Sequence, residues 1–283
     1  MFPNEFLSNI VIVTQVRDVG SAANWRSDRL SHWQVLQRIL ASGKTVSPLL
    51  EVPWVTTSIF RIDWLHCSDQ GVAADFIGNI FVLIASKCPG NNKKARTTSL
   101  WTRILAKYDA LNVEDRLQNL VPTMLQQPKK SPKLRCSAAQ CRALVPIAHS
   151  LAQETLSSVV PIEAAAKVGM IHLHQCYLAL SSESIFANDI LRENSIKFAL
   201  QYVALEAAAD DTKQWRIKPK LHLFLEVCAE GSKPALFWNY RDEDYGGTVA
   251  HLSRRRGGLL SVQAFSRNLL ERFKIKQPVV RMV

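Results

Sequence analysis

Carboxylate and imidazole side chains that could carry chemistry lie in two places along the chain. Asp63, His66 and Asp69 fall within residues 60–79, and the acidic triplet 242–244 follows about 170 residues later. Clustered carboxylates hold divalent cations, and a pair of cations can clamp the attacking and leaving oxygens of a phosphodiester. Because adjacent side chains of the triplet diverge, at most one or two of its acids could ligate metal. The alternative is a solvated turn or helix start whose acids complement the helix dipole.

Two smaller groups have spacings that could serve proton transfer or nucleophilic attack. His222 and Glu226 are one helical turn apart and could assist proton transfer or bind a metal. The apolar neighbours of His222 favour a half-buried structural histidine instead. Cys67 beside His66 hints at a thiol nucleophile, but consecutive side chains rarely meet and no orienting group is evident.

Thiol and imidazole groups at Cys136, Cys141, His172, His174 and Cys176 could supply zinc ligands. Their spacing is not that of a zinc ribbon or finger, and positions 172 and 174 face opposite sides of a helix. Cysteines of the core are therefore the favoured interpretation. The sequence has no glycine-rich phosphate loop and no HExxH or GxSxG motif, which excludes a Walker-type nucleotide hydrolase.

The composition favours a helical protein of a reducing compartment. The 283 residues are 47% hydrophobic and 21% charged, which is enough for a buried core, and only 11 are glycine. No apolar run approaches the roughly 20 residues of a membrane span, so we expect no membrane partner. Six scattered cysteines do not resemble a disulfide framework. The first residues lack the features of a secretory signal, so we expect a nuclear or cytoplasmic protein.

Positive charge is concentrated in two blocks. Residues 87–142 carry 12 basic and 3 acidic side chains, and residues 213–283 carry 14 and 6, whereas residues 143–212 between them carry 3 and 8. Such blocks are typical of nucleic-acid binders, although a solvated basic surface is the plain alternative. We therefore expect DNA as a partner. The candidate contacts are Lys93, Lys94, Arg96, Lys129, Lys130, Lys133, Arg254, Arg255 and Arg256.

Helical spacing of apolar residues recurs through most of the chain. Helices are predicted over residues 24–41, 69–86, 98–111, 113–124, 137–158, 162–180, 194–209, from 219 onward, and over 261–273. A β-branched run within 5–16 could be a strand, and a short strand is expected to end at Asp63 and lead directly into the helix at 69–86. The predicted fold class is mainly α with a few short strands.

Three parts of the chain are expected. Residues 1–127 contain the strand-to-helix unit of Asp63 and His66, residues 128–212 form a helical bundle, and residues 213–283 pack back on the first part. The proline- and lysine-rich stretch 127–135 is the expected linker, because its prolines break helices and its lysines favour solvent.

Two motifs resemble a family of transposases. Residues 62–78, IDWLHCSDQGVAADFIG, resemble the D-x-(M/L)-H-C-x-x-x-G-V-x-K-D-h-h segment of cut-and-paste transposases of the CACTA and Kyakuja–Dileera–Zisupton type. Residues 218–226, KPKLHLFLE, followed by FWNYRDED at 237–244, are similar to their later K-x-H-x-h-x-H/E … W-x-x-E-x-x segment. The whole chain also resembles a repeated open reading frame of large protist genomes.

This resemblance implies a ribonuclease-H-like core interrupted by a helical insertion. It assigns Asp63 and Glu243, or Asp242 in place of Glu243, as ligands of Mg²⁺ or Mn²⁺, and it makes His66 a supporting or phosphate-contacting residue. Ala74 stands where the family has a basic residue. The first strand of the family, with its own catalytic Asp, would precede Met1, so the chain corresponds to the C-terminal part of such a transposase.

Two functions of different classes follow from these patterns. The first is a transposase-derived protein associated with nucleic acid, with an ancestry in two-metal phosphodiester cleavage and strand transfer. The second is a non-catalytic helical interaction or scaffold protein that needs no cofactor.

Overall fold

The computed structural model describes residues 30–56, 60–181, 186–211, 213–254, 267 and 271. The strand expected within 5–16 lies outside these residues, as does the predicted helix 261–273 apart from its residues 267 and 271. The chain divides into two compact units, Met1–Phe237 and Trp238–Val283. Each unit is described by itself.

Helices make up nearly all the regular structure of the first unit. They are α1 His32–Ala41, a π-helical segment Leu65–Val72, α2 Ala73–Lys87, α3 Lys93–Ala110, α4 Pro122–Leu125, α5 Ala138–Thr155, α6 Pro161–Ser181, α7 Asn188–Ala208 and α8 Lys220–Ala229, with 3₁₀ turns at Pro48–Glu51 and Pro234–Leu236. The predicted mainly helical class is confirmed.

The expected strand at Asp63 is wrong for the residues that are described there. Residues 60–63 have no regular structure, and no strand forms anywhere in the described part of the chain. The reason is local. The backbone carbonyl of Asp63 accepts a hydrogen bond from the Cys67 N–H, 3.1 Å away, so Asp63 begins a helix instead of ending a strand.

A single buried helix organises the first unit. The π-helical segment and α2 are continuous over Leu65–Lys87, called here the core helix. It is apolar on nearly every side, which is typical of a helix surrounded by others. It is also the one described helix long and apolar enough to cross a membrane, but 83% of its most apolar stretch is buried inside the protein. It is therefore a helix of the protein core.

Several helices of the first unit pack around the core helix. Its α2 part packs against α3, α4 and α5, and its π-helical part packs against α5 and α8, while α6 and α7 pair with each other. Two aromatic residues, Trp64 just before the core helix and Phe76 within it, contact aromatic residues from other parts of the first unit. Trp64 contacts Tyr177 and Phe224, and Phe76 contacts Phe198, Tyr202 and Trp215.

Helix starts follow the capping residues more closely than the apolar spacing. α3 begins at Lys93 and not at 98, because the Asn92 side chain accepts a hydrogen bond from the Ala95 N–H at 2.9 Å. α5 begins after Ser137, which forms a capping box with Gln140. The helix predicted over 113–124 is reduced to Pro122–Leu125.

The described part of the second unit is dominated by α9, Tyr240–Arg254. Its first turn carries Asp242 and Glu243. The backbone N–H of Glu243 donates to the carbonyl of Asn239 at 2.9 Å, so the acidic triplet opens a helix. Acids in this position complement the positive end of the helix dipole.

Candidate functional site: a lysine-covered helix

Asp63 and His66 lie together at the start of the core helix. The two carboxylate oxygens of Asp63 accept hydrogen bonds from the Leu65 N–H at 3.2 Å and the His66 N–H at 3.1 Å. One of them also contacts the Nδ1 atom of the His66 ring. Asp63 therefore caps the helix, and its side chain is 12% exposed against 47% for His66.

The next two acids of the stretch 60–79 are buried and bound to other side chains. The Oδ1 atom of Asp69 accepts a hydrogen bond from the Tyr177 hydroxyl at 2.5 Å. Burial is the main reason that the pKa of Tyr177 is raised, and the nearby Asp69 adds to it. Asp75 forms an ion pair with Lys218, with 2.7 Å between Oδ1 and Nζ. These acids tie distant helices to the core helix.

The other implied metal ligands, Asp242 and Glu243, lie in α9 of the second unit, together with Arg254 at its end. Arg255 and Arg256 lie outside the described residues. Within the part of the chain that is described, no group of three or more His, Cys, Asp or Glu side chains could hold a metal ion. The assignment of metal ligands from the resemblance stays a prediction.

The thiol and imidazole groups have separate surroundings. His172 contacts Asn194 at 2.9 Å, and His174 stacks on His149 with ring centroids 4.5 Å apart. The hydrogen bond with Cys136, and next burial, raise the pKa of the Cys141 thiol, whereas burial is the main reason that the pKa of the Cys176 thiol is raised. These five residues do not come together as a group that could hold a metal ion in the described part of the chain. The structure therefore favours cysteines of the core over zinc ligands.

Cys67 and His222, the two remaining candidates, are buried. Burial raises the pKa of the Cys67 thiol well above its ordinary value, and its S–H points at the Trp64 carbonyl oxygen 3.8 Å away. A thiol in this setting stays protonated and is a poor nucleophile. His222 is 7% exposed within α8, as a structural histidine would be.

Two lysines from distant segments lie across the core helix. The Nζ atom of Lys133 donates to the carbonyl oxygen of Gln70 at 2.6 Å, and the Nζ atom of Lys220 donates to that of His66 at 2.7 Å. One turn further along, the Ala74 carbonyl accepts from the Leu134 N–H at 2.8 Å. These carbonyls are spaced four residues apart and so lie on one face of the helix.

The π-helical geometry makes this arrangement possible. At Gly71 the backbone has φ −113° and ψ −105°, which interrupts the regular hydrogen-bond ladder. Carbonyl groups beside such an interruption turn outward and take donors from elsewhere. Burial, and next the positive charge of Lys133, lower the pKa of Lys220. The two ammonium groups are therefore close enough to repel each other.

The lysine pair continues into the basic loop that was expected to be a linker. The Lys133 N–H donates to the Leu125 carbonyl at 2.8 Å, which folds the loop back on itself. The Gln126 side chain donates to the Lys130 carbonyl at 3.3 Å and accepts from the Nζ atom of Lys93 at 3.4 Å. Hydrogen bonds thus link the segments that carry Lys93, Lys130, Lys133 and Lys220, and these four lysines are called here the basic face.

The basic face keeps its positive charge. None of its four lysines forms an ion pair with a carboxylate of the described residues, whereas Lys87, Arg103, Lys107 and Arg116 all do. Three other predicted DNA contacts, Lys94, Arg96 and Lys129, are exposed beside it in the chain.

The sequence did not reveal the part that Lys220 plays. In the sequence, Lys218 and Lys220 stand out only as part of the motif KPKLHLFLE at residues 218–226. A signal was available in Gly71 and Gly78, which lie seven residues apart on one side of an otherwise apolar helix. Glycine inside a helix marks a position where another segment approaches closely.

No family model, curated protein or solved structure matches the chain. The ribonuclease-H-like core and the transposase family therefore remain predictions from the two motifs.

Proposed function

We propose that this chain is a nucleic-acid-associated protein that binds the phosphate backbone through its basic face. The observation that carries the proposal is that hydrogen bonds link the segments bearing Lys93, Lys130, Lys133 and Lys220, and that none of the four forms an ion pair with a described carboxylate. Lys220 is partly buried and lies near the positive charge of Lys133, and both effects lower its pKa. An array of phosphates would offset both.

The start of α3 adds to this proposal. Its first turn contains Lys93, Lys94 and Arg96 and has no acid, although the N-terminus of a helix already carries partial positive charge. Cations in this position reduce the stability of the helix, and an anion nearby would reverse the effect. The charge pattern of α3 is therefore unfavourable for the protein alone and favourable for a complex with nucleic acid.

Salt dependence tests the proposal. The affinity of the whole chain for a DNA duplex and for RNA of mixed sequence would be measured by fluorescence anisotropy over a range of salt concentrations. Three or four phosphate contacts would give a slope of log affinity against log salt of roughly −2.7 to −3.6. Affinity that is unchanged by salt, or equal binding of polyglutamate at the same charge, would overturn the proposal.

The catalytic part of the transposase hypothesis is a separate proposal. We infer an ancestry in two-metal phosphodiester chemistry from the motif around Asp63 and His66 and from the acids at 242–244, with Mg²⁺ or Mn²⁺ as the cofactor. The support is the sequence pattern together with the contact between Asp63 and His66. This chemistry would be required only of an active copy.

The substitution Asp63→Asn separates catalysis from helix capping. Asparagine caps helices as well as aspartate does, so stability would change little, whereas Asp63→Ala would cost about 1 kcal/mol. A metal ligand, in contrast, needs the carboxylate. Cleavage of plasmid DNA with Mn²⁺ by the natural chain and not by Asp63→Asn would support catalysis, and equal behaviour of both would contradict it.

A second candidate is a scaffold protein without catalytic activity. It is favoured by the structural use of Asp63, Asp69 and Asp75, each of which binds a helix end or a side chain of a distant segment. This candidate predicts no metal-dependent cleavage, and it is compatible with binding of nucleic acid as an architectural contact.

A further inference from the structure

Lys133 and Lys220 make the same kind of contact with the core helix from two segments that are far apart in the sequence. Each ammonium donates one hydrogen bond to a carbonyl of the helix, at Gln70 and at His66. The two carbonyl groups are one turn apart, which corresponds to about 6 Å along the axis. An ammonium group has three donors, so two remain on each lysine.

Two glycines of the core helix make room for the two lysine-bearing segments. A Cβ atom on Gly71 would lie 2.7 Å from the Cδ atom of Lys220. A Cβ atom on Gly78 would lie 2.6 Å from the backbone of Lys133 and Leu134. Any larger residue at either position would push a lysine away from the helix. The helix is thus shaped to receive both lysines, at the cost of the lower helix propensity of glycine.

From this geometry we infer that Lys133 and Lys220 form a clamp for one phosphate group at the π-helical segment. The inference rests on the proposed function and specifies the contact that anchors the nucleic acid. The carbonyl bonds fix the two ammonium groups beside each other before the ligand arrives. One phosphodiester can then accept a charge-assisted hydrogen bond from each of them, with about 2.8 Å between nitrogen and oxygen.

A phosphate is the ligand that this site fits best. Two fixed positive charges without a paired carboxylate call for a ligand that is an anion with several oxygens. Repulsion between the ammonium groups disfavours the empty site, and a shared anion removes it. Asp75 forms its ion pair with Lys218, and although its charge also tends to raise the pKa of Lys220, no carboxylate of the described residues forms an ion pair with Lys133 or Lys220.

A double-substitution cycle tests the clamp. Lys133→Gln, Lys220→Gln and the double variant would be compared in binding of a DNA duplex across salt concentrations, with RNA and inorganic pyrophosphate as further probes. Two lysines on one phosphate predict that each single variant loses about tenfold in affinity and that the double variant loses little more. Each single variant, and also the double variant, would flatten the salt slope by about 0.9.

The matched controls are Lys94→Gln, Lys129→Gln and their double variant. Both lysines belong to the basic block 87–142, like Lys133, but neither side chain makes a described hydrogen bond with the core helix. Independent contacts predict that their effects multiply and that the double variant flattens the slope by about 1.8. Such additive behaviour of Lys133 and Lys220 would overturn the clamp while leaving nucleic-acid binding intact. Binding of the natural chain that is insensitive to salt would overturn the proposed function instead.

Gly71→Ala provides a test that leaves every charge in place. The added methyl group would displace the Lys220 side chain, so the variant should lose about the same affinity as Lys220→Gln. The double variant Gly71→Ala/Lys220→Gln should lose no more affinity for DNA than either single variant. Retention of natural affinity in Gly71→Ala, with folding confirmed by circular dichroism, would contradict the clamp. A bound duplex should also protect Lys133 and Lys220 together from chemical acetylation, which provides a footprint of the clamp.

Discussion

The two ends of α3 carry similar residues in opposite surroundings. Near its C-terminus, Arg103 and Lys107 both bind the carboxylate of Glu154 from α5. At its N-terminus, Lys93 finds only the amide of Gln126, and no described carboxylate neutralises it. One end is a closed ionic contact between two helices. The other end adds its charge to the basic face.

This difference shows which charges serve the fold and which are available to a partner. An exposed ion pair such as Lys107 with Glu154 contributes little to stability, but it cancels the field that a partner would meet. Charges without such a partner keep that field and attract polyanions. Net charge counted along the sequence does not distinguish the two kinds.

The largest effect is expected from disrupting the contact that holds Lys133, and with it the basic face, against the core helix. Gly78→Ala puts a methyl group against the backbone of residues 133 and 134, and we expect a loss of about 2–3 kcal/mol in the free energy of unfolding. Urea unfolding followed by circular dichroism would measure it. In Gly246→Ala, whose Cβ atom meets nothing within 4 Å, the first unit should unfold as in the natural chain. A Gly78→Ala protein of natural stability would contradict the packing described here.

The next effect concerns DNA affinity at the two ends of α3. Replacing Lys93 and Lys94 together with Gln should weaken binding about tenfold, because phosphate contacts are lost. Replacing Arg103 and Lys107 together should change it by about twofold at most, because Glu154 already neutralises them. Fluorescence anisotropy at fixed salt would measure both. Equal losses at the two ends would remove the basis of the comparison.

Acid should lower the free energy of unfolding through the stacked pair of His149 on α5 and His174 on α6. Burial lowers the pKa of His149, and burial together with the His149 charge lowers that of His174 from 6.5 to about 4. The unfolded state therefore binds more protons below pH 6.5, so stability is complete above that pH and is lost as the pH falls toward 4. Because both rings are partly exposed and solvent screens their charges, we expect a loss of about 1 kcal/mol at most by pH 5.

Urea unfolding at several pH values would measure this loss. His174→Phe keeps a ring against His149 and removes one titrating group, so its stability should depend less on pH in the same window. A natural protein whose stability is constant between pH 7 and 5 would contradict the assignment.

The smallest expected effect is a gain in DNA affinity. Glu154→Gln removes the acid that Arg103 and Lys107 share and leaves its shape unchanged. The hydrogen bond from Lys107 is the largest factor that lowers the pKa of Glu154, so at neutral pH this carboxylate is charged. Without it, α3 would attract DNA more strongly, by about twofold to threefold. The same anisotropy assay would detect the gain, and an unchanged affinity would show that this end of α3 lies away from the bound DNA.

Much of the helical fold could be predicted from the spacing of apolar residues. α5 and α6 begin and end within three residues of their predicted bounds, because both have a clear apolar stripe and a Ser or Pro at the start. The stretch around Asp63 was predicted as a strand because a short apolar run fits either structure. Its capping hydrogen bonds decide the outcome, and periodicity does not reveal them.

The candidate site was harder to predict for a physical reason. Lys93, Lys130 and Lys133 were identified as charges, but their surroundings depend on which acids the fold brings near them. The role of Lys220 depends on the helix kink at Gly71 and on the close approach that this glycine allows. Neither depends on Lys220 itself, so only the packed structure shows the contact.

The bonds of the basic loop to the core helix also determine what happens when the chain is cut. Trypsin should cleave the exposed sites after Lys129 and Lys130 first. It should spare the bond after Lys133, because Leu134 is buried and its N–H is bound to Ala74. Residues 1–130 and 131–283 would remain associated after such a nick, since residue 134 continues to lie on the core helix. The loop is thus a natural position for splitting the protein into two fragments that reassemble.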